Sequence, residues 1–211
     1  AGHLPGLLLE AEKVAQSFMR GVHGRRRVGT GEAFWQFRSY QPGDARRDID
    51  WRQSAKRDQV FVRQTEWEAA QTIWLYRDAS ESMNFKSAAD LHFKKDYAEI
   101  LLLALGMVFL SGGEQVSLLG TDLAPQTAYT SIQRIFETLP SQRHLAESGR
   151  PVAAKSQVIL IGDFFFPPEQ LVSFCEKLAA RHVSGMLVQV FDPAEQTLPY
   201  NGRIKFQDIE N

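Results

Sequence analysis

Residues Thr72 to Met83 read TIWLYRDASESM. A short apolar run ends in Asp78, and Ser80 and Ser82 follow at alternate positions. Such a run, closed by polar residues and followed by a helical pattern, fits a strand buried on both faces of a parallel sheet. The spaced side chains leave two readings open. A serine can accept a backbone N–H and start the next helix. Alternatively, hydroxyls two residues apart on a loop leaving a strand point into one site. With a carboxylate beside them they offer the oxygen ligands that magnesium takes in octahedral geometry, along with several waters.

Three later runs repeat the rhythm. EQVSLLGTD, SQVILIGD and SGMLVQVFD end in Asp122, Asp163 and Asp192, and GRIKFQD is a candidate fifth strand. Helical patterns separate them: KSAADLHFKKDYAEILLLALGMVFLS, TSIQRIFETL and PEQLVSFCEKLAARH. Alternating strands and helices imply an α/β fold with a mainly parallel sheet flanked by helices. In such a sheet all strand carboxyl ends share one edge, where ligands bind. Turn chemistry explains Asp122 and Asp192 well. Asp163 differs, because its strand end can approach the loop that holds Asp78, Ser80 and Ser82.

Upstream, Leu4 to Arg20 is helical in pattern, and GVHGRRRVGTGEAF reads as a loop with three solvated arginines, Arg25, Arg26 and Arg27. GTGEAF lacks the Gly-Lys-Ser/Thr ending of a phosphate loop. FWQFRSY and QVFVRQTEWE suit strands on either side of the turn QPGDARRD. The expected organisation is an N-terminal helix and β-extension, 1–70, packed on a main domain, 71–211.

Composition excludes several classes. The 211 residues are 44% hydrophobic with a net charge of -1, so bulk charge directs the chain to neither nucleic acid nor a membrane surface. One cysteine, Cys175, excludes an internal disulfide and a cysteine-rich metal site, and its helical setting suggests a small core residue. No His-Glu-x-x-His zinc motif and no Gly-x-Ser-x-Gly elbow occurs. The longest apolar run, within EILLLALGMVFLSG, has about 12 residues against the ~20 of a spanning helix, which suggests a buried helix. No leader pattern is read, and the expected location is cytoplasmic. The opening Ala-Gly-His, without Met, fits a piece of a longer protein.

One segment is more specific. Gly29, Gly31, Glu32 and Phe34 are followed by Arg38, Tyr40, Pro42, Gly43 and Asp44, then by Arg47, Ile49, Asp50 and Trp51, then by Ala55 and Lys56. This order, with the later VILIGDFFFP and QVFDPAEQTLPYNGRIKFQD, resembles the bacterial domain-of-unknown-function family fifty-eight. That family is similar to von Willebrand factor A domains, which implies a Rossmann-like sheet and a metal-ion-dependent adhesion site (MIDAS). By resemblance, Asp78, Ser80, Ser82 and Asp163 are metal ligands. Thr130 is chosen as the completing threonine, with Thr127 as alternative. The implied ion is Mg2+, with Mn2+ or Ca2+ as substitutes. The resemblance also implies a non-enzymatic protein-binding module that partners a MoxR-type AAA+ ATPase in protein assembly or activation. The charges around Tyr40 and Trp51, namely Arg38, Asp44, Arg47, Asp50 and Arg52, fit either a structural clamp or a partner-binding face.

An enzyme is the alternative: a magnesium-dependent phosphohydrolase with Asp78 as nucleophile. Haloacid-dehalogenase-like enzymes need a second Asp where this chain has Ser80, and paired acids where GDFFFP offers Asp163 alone. They also need a lysine for the phosphate, and the sequence marks none.

Overall fold

In the computed structural model the described residues are 4–23, 33–56, 59–66, 70–145 and 149–205. In chain order the helices and strands are α1 (Leu4–His23), β1 (Ala33–Ser39), α2 (Trp51–Ser54), β2 (Phe61–Glu66), β3 (Thr72–Arg77) and α3 (Lys94–Ser111). They continue as β4 (Gln115–Leu118), α4 (Ile132–Thr138), β5 (Gln157–Gly162), α5 (Pro168–Ala179), β6 (Ser184–Gln189) and α6 (Pro193–Thr197). The chain divides into two compact units, 1–25 with 70–211, and 26–69.

The larger unit holds a four-stranded parallel sheet in the order β4-β3-β5-β6. β3, β4 and β5 are buried after their first residues, as strands covered on both faces require. Ile73, Leu75, Ile159 and Ile161 point into a core shared with α1, α3 and α4. Trp74, Tyr76, Val158 and Leu160 point to the other face, against Leu171, Phe174 and Leu178 of α5.

Helix α3 packs on both the sheet and α1, so it needs apolar residues nearly all round, and the buried helix read from EILLLALGMVFLSG is found there. Ala11 and Ala15 of α1 are fully buried in this core. Gly106 lets α3 approach α4, since a Cβ there would meet Ile132 Cδ1 at 3.2 Å. No helix among the described residues is long and apolar enough to cross a membrane.

The sequence pattern set α3 too early. Lys86 to Phe93 form turns and irregular backbone, and the helix starts at Lys94. Polar residues and the Lys86 ammonium, which donates to the carbonyls of Ala89 and Leu91, stabilise that detour. Gly202 to Lys205 are not a strand, and 206–208 of the candidate fifth strand lie outside the described residues. So do Arg25, Arg26, Arg27 and the 29–32 stretch, while Gly21 to His23 complete α1. Cys175 is exposed on α5 rather than in a core. β6 is the sheet edge. Met186, at 61% exposure, and Leu187 lie open on it, and the strand carries no charge.

The smaller unit is a two-stranded antiparallel ribbon of β1 and β2 with a short α2 between. Its charges work locally. Arg38 grips Asp44 with two bonds of 2.7 Å, and the Gln41 amide donates to the same carboxylate at 2.8 Å. Asp50 caps α2 by accepting from the Gln53 amide at 2.8 Å. Trp51 and Tyr40 stay exposed.

The Arg38 guanidinium, with the Gln41 amide, lowers the Asp44 pKa from 3.8 to about 2. A depressed carboxyl stabilises fully above its unfolded value and loses that contribution as pH falls through the folded one. Asp44→Asn should therefore lower the melting temperature at pH 7 and make little difference near pH 2. Equal losses at both pH values would show that the pair does not carry the effect.

Candidate functional site

The parallel order places a switch point between β3 and β5. The chain leaves β3 for α3 on one face and leaves β5 for α5 on the other. A crevice opens where two loops diverge at carboxyl strand ends. Asp78 and Asp163 stand there, on adjacent strands in register at Arg77 and Ile161. The Asp78 amide donates to the Ile161 carbonyl at 2.8 Å. A Cβ at Gly162 would lie 2.5 Å from Asp78 Cβ and 3.0 Å from its Oδ2, so only glycine leaves room for this carboxylate. Both aspartates are buried, at 3% and 0% exposure.

The loop after Asp78 folds back on itself. The Ser80 amide donates to Asp78 Oδ1 at 2.9 Å, and the Ser80 and Ser82 hydroxyl oxygens are 3.0 Å apart. The helix-cap reading of these serines finds no support. Ser80 precedes a 3-10 turn, Glu81–Asn84, but its side chain caps nothing, and α3 begins further on, at Lys94. Asp78, Ser80 and Ser82 thus form one oxygen-rich loop beside Asp163.

Thr130 does not join them. It lies exposed in the turn Tyr129–Ser131, just beyond Gln126, which bridges Val116. Val116 pairs with Ile73, five residues before Asp78. At strand rise that is roughly 16 Å from the carboxyl edge. Thr127, next to Gln126, shares this level. The sequence pattern of a threonine before a helix is met, but α4 starts at the far edge and runs toward the strand ends. At its end, Leu139 accepts from Arg77 Nη2 at 3.4 Å. Asp122 is exposed beside Arg143, in keeping with turn chemistry. Asp192 caps α6 by accepting from the Ala194 amide, and it also accepts from the Ser87 amide. Burial alone would raise its pKa, but the hydrogen bonds from Ser87 and Ala194 and the nearby Lys94 bring it below the usual value.

Several residues that the sequence did not mark complete the edge. Lys94, 2% exposed, donates to Asp163 Oδ2 at 2.7 Å and to Glu195 Oε1 at 2.6 Å. Its ammonium also lies 4.8 Å from the Phe165 ring centroid and 5.7 Å from that of Phe85. Arg77 is buried and paired with Glu99 of α3 at 3.1 Å. Gln142 ties β3 to β4: its amide donates to the Leu75 and Leu119 carbonyls, and its oxygen accepts from the Arg77 amide. No local signal marked Lys94, because the sequence pattern started the helix before it. The structure puts this lysine in a first turn, where it opposes the helix dipole and calls for a buried acidic partner.

The donor set suits a hard cation. Asp78 supplies charge, Ser80 and Ser82 supply hydroxyls, and the loop gathers them within one turn. Asp163 stands beside that set, with Oδ2 accepting from Lys94 and Oδ1 from the Phe165 amide. Among the described residues no three His, Cys, Asp or Glu side chains form a metal-binding group. Any cation here therefore depends on serine oxygens.

The family model described as Protein of unknown function DUF58 matches residues 36–211, which include both strand ends. The chain belongs to this family. DUF58 relatives include uncharacterized proteins of Mycobacterium bovis and of two strains of Mycobacterium tuberculosis. Each is 28% identical over 229 residues, covering 100% of this chain and 71% of the relative. No solved structure matches the chain.

Gly162→Ala tests the closeness of the two strand ends. The new Cβ must push Asp78 aside, and stability should fall by about 1–3 kcal/mol. Gly106→Ala, whose Cβ meets only side-chain ends, should cost less in the same denaturant titration. A neutral Gly162→Ala would remove the contact from the account.

Proposed function

We propose that this DUF58 chain is a non-enzymatic protein-binding module. Its recognition site is the carboxyl edge of the sheet, used in the manner of a von Willebrand factor A domain. The observation that carries the reading is the burial of Asp78 beside Asp163 at the switch point, with the Ser80 and Ser82 hydroxyls converging on the same loop. Asp78, Ser80 and Ser82 would hold Mg2+, with Asp163 as a further oxygen donor. An ion so held would supply a Lewis-acidic contact for a partner's carboxylate. Mn2+ or Ca2+ would serve in its place. The partner we propose, from family resemblance, is a MoxR-type AAA+ ATPase.

One observation favours the enzymatic alternative. Lys94 supplies the lysine that the sequence did not mark. It is, however, enclosed by Asp163 and Glu195, and Ser80 stands where a general acid is needed. The binding reading is therefore preferred.

Titration with magnesium or manganese should raise the melting temperature. At about 100 times Kd the gain is roughly 2.7 kcal/mol. Ser80→Ala should reduce the shift, while an unchanged shift places the ion elsewhere. Pulldown of the ATPase should need divalent ion and fail in chelator. Phosphatase turnover that is lost in Asp78→Asn would replace binding with catalysis.

A further inference from the structure

We infer that Lys94 is a resident cation that competes with the divalent ion, so that metal binding at the strand ends is coupled to release of the α6 segment. This rests on the proposed metal site and adds its regulation.

Asp163 is fully buried, and both of its carboxylate oxygens are engaged. Oδ2 accepts from Lys94 and Oδ1 accepts from the Phe165 amide at 3.2 Å. A buried carboxylate needs a cation or several donors to stay ionised, and Lys94 meets that need without metal. Its position is fixed from several sides. It is the first residue of α3, so its backbone cannot move far. Phe85 and Phe165 flank its ammonium, and Glu195 Oε1 accepts a second hydrogen bond from it at 2.6 Å.

A divalent ion drawn to Asp78, Ser80 and Ser82 repels this ammonium and attracts Asp163. Like charges gathered at neighbouring strand ends repel more strongly in a low-dielectric setting than in water. Entry of the ion therefore weakens the Lys94–Asp163 pair, and the displaced ammonium disturbs its second partner. Glu195 also accepts from the Asp192 amide through Oε2 at 2.9 Å, and Asp192 accepts from the amides of Ser87 and Ala194. Loosening Glu195 thus loosens the α6 cap and the tie between residues 192 and 87.

Two measurements test this on the full chain with magnesium alone as probe. In Lys94→Met the competing charge is gone, so the magnesium midpoint in thermal denaturation should tighten by at least about tenfold. In wild-type protein, saturating magnesium should speed amide hydrogen exchange across Ala194–Thr197 several-fold. An unaltered or weaker midpoint in a folded Lys94→Met overturns the competition. Unchanged exchange in wild-type protein that does bind magnesium overturns the coupling, even if the variant does not fold. If neither protein responds to magnesium, the metal site itself fails and the inference goes with it.

Discussion

Two acidic side chains buried at neighbouring strand ends are stable only with positive charge or donated hydrogen bonds close by. Asp78 and Asp163 meet that demand differently. Asp78 turns onto its own loop, where the Ser80 amide answers one oxygen. Asp163 faces inward and takes the Lys94 ammonium. The second solution fixes much of the upper edge. α3 must begin where Lys94 can reach β5, and α6 must bring Glu195 to the same nitrogen.

α3 is consequently more than a covering helix. Its first turns carry Lys94 to the end of β5 and Glu99 to the end of β3, where Arg77 is the partner. The remainder of the helix is anchored in the larger apolar core. Charge placement at one end and packing at the other are thus enforced by a single rigid element. On the far side of β3, Gln142 performs the matching task with neutral groups, bonding to the Leu75 and Leu119 carbonyls and the Arg77 amide at the strand ends.

Much of this was legible in the sequence because three of the sheet's strands are covered on both faces. Each strand is a dense apolar run, and each of the four ends at an aspartate or a little before one. The parallel sheet, the helices between its strands, the N-terminal helix and the β-ribbon follow from that rhythm. The grouping of Asp78, Ser80 and Ser82 on one loop was equally readable, since the three lie within five residues. Long-range partners were not. Lys94 and Glu195 are separated by 101 positions, and Gln142 lies 65 from Arg77, so no local pattern marks them. The place of Thr130 shows a related limit. Its place before a helix was visible, but which end of the sheet that helix starts from is a matter of topology. The start of α3 was misjudged because Lys86 to Phe93 have a helical composition, while their backbone is held in turns by side-chain contacts.

β6 differs from its neighbours in lacking any cover on its outer side among the described residues. Its outward backbone groups and its uncharged, apolar side chains provide none of the lysines, prolines or bulges that discourage sheet growth. In concentrated solution, then, this strand offers an edge on which the sheet of a second molecule can pair.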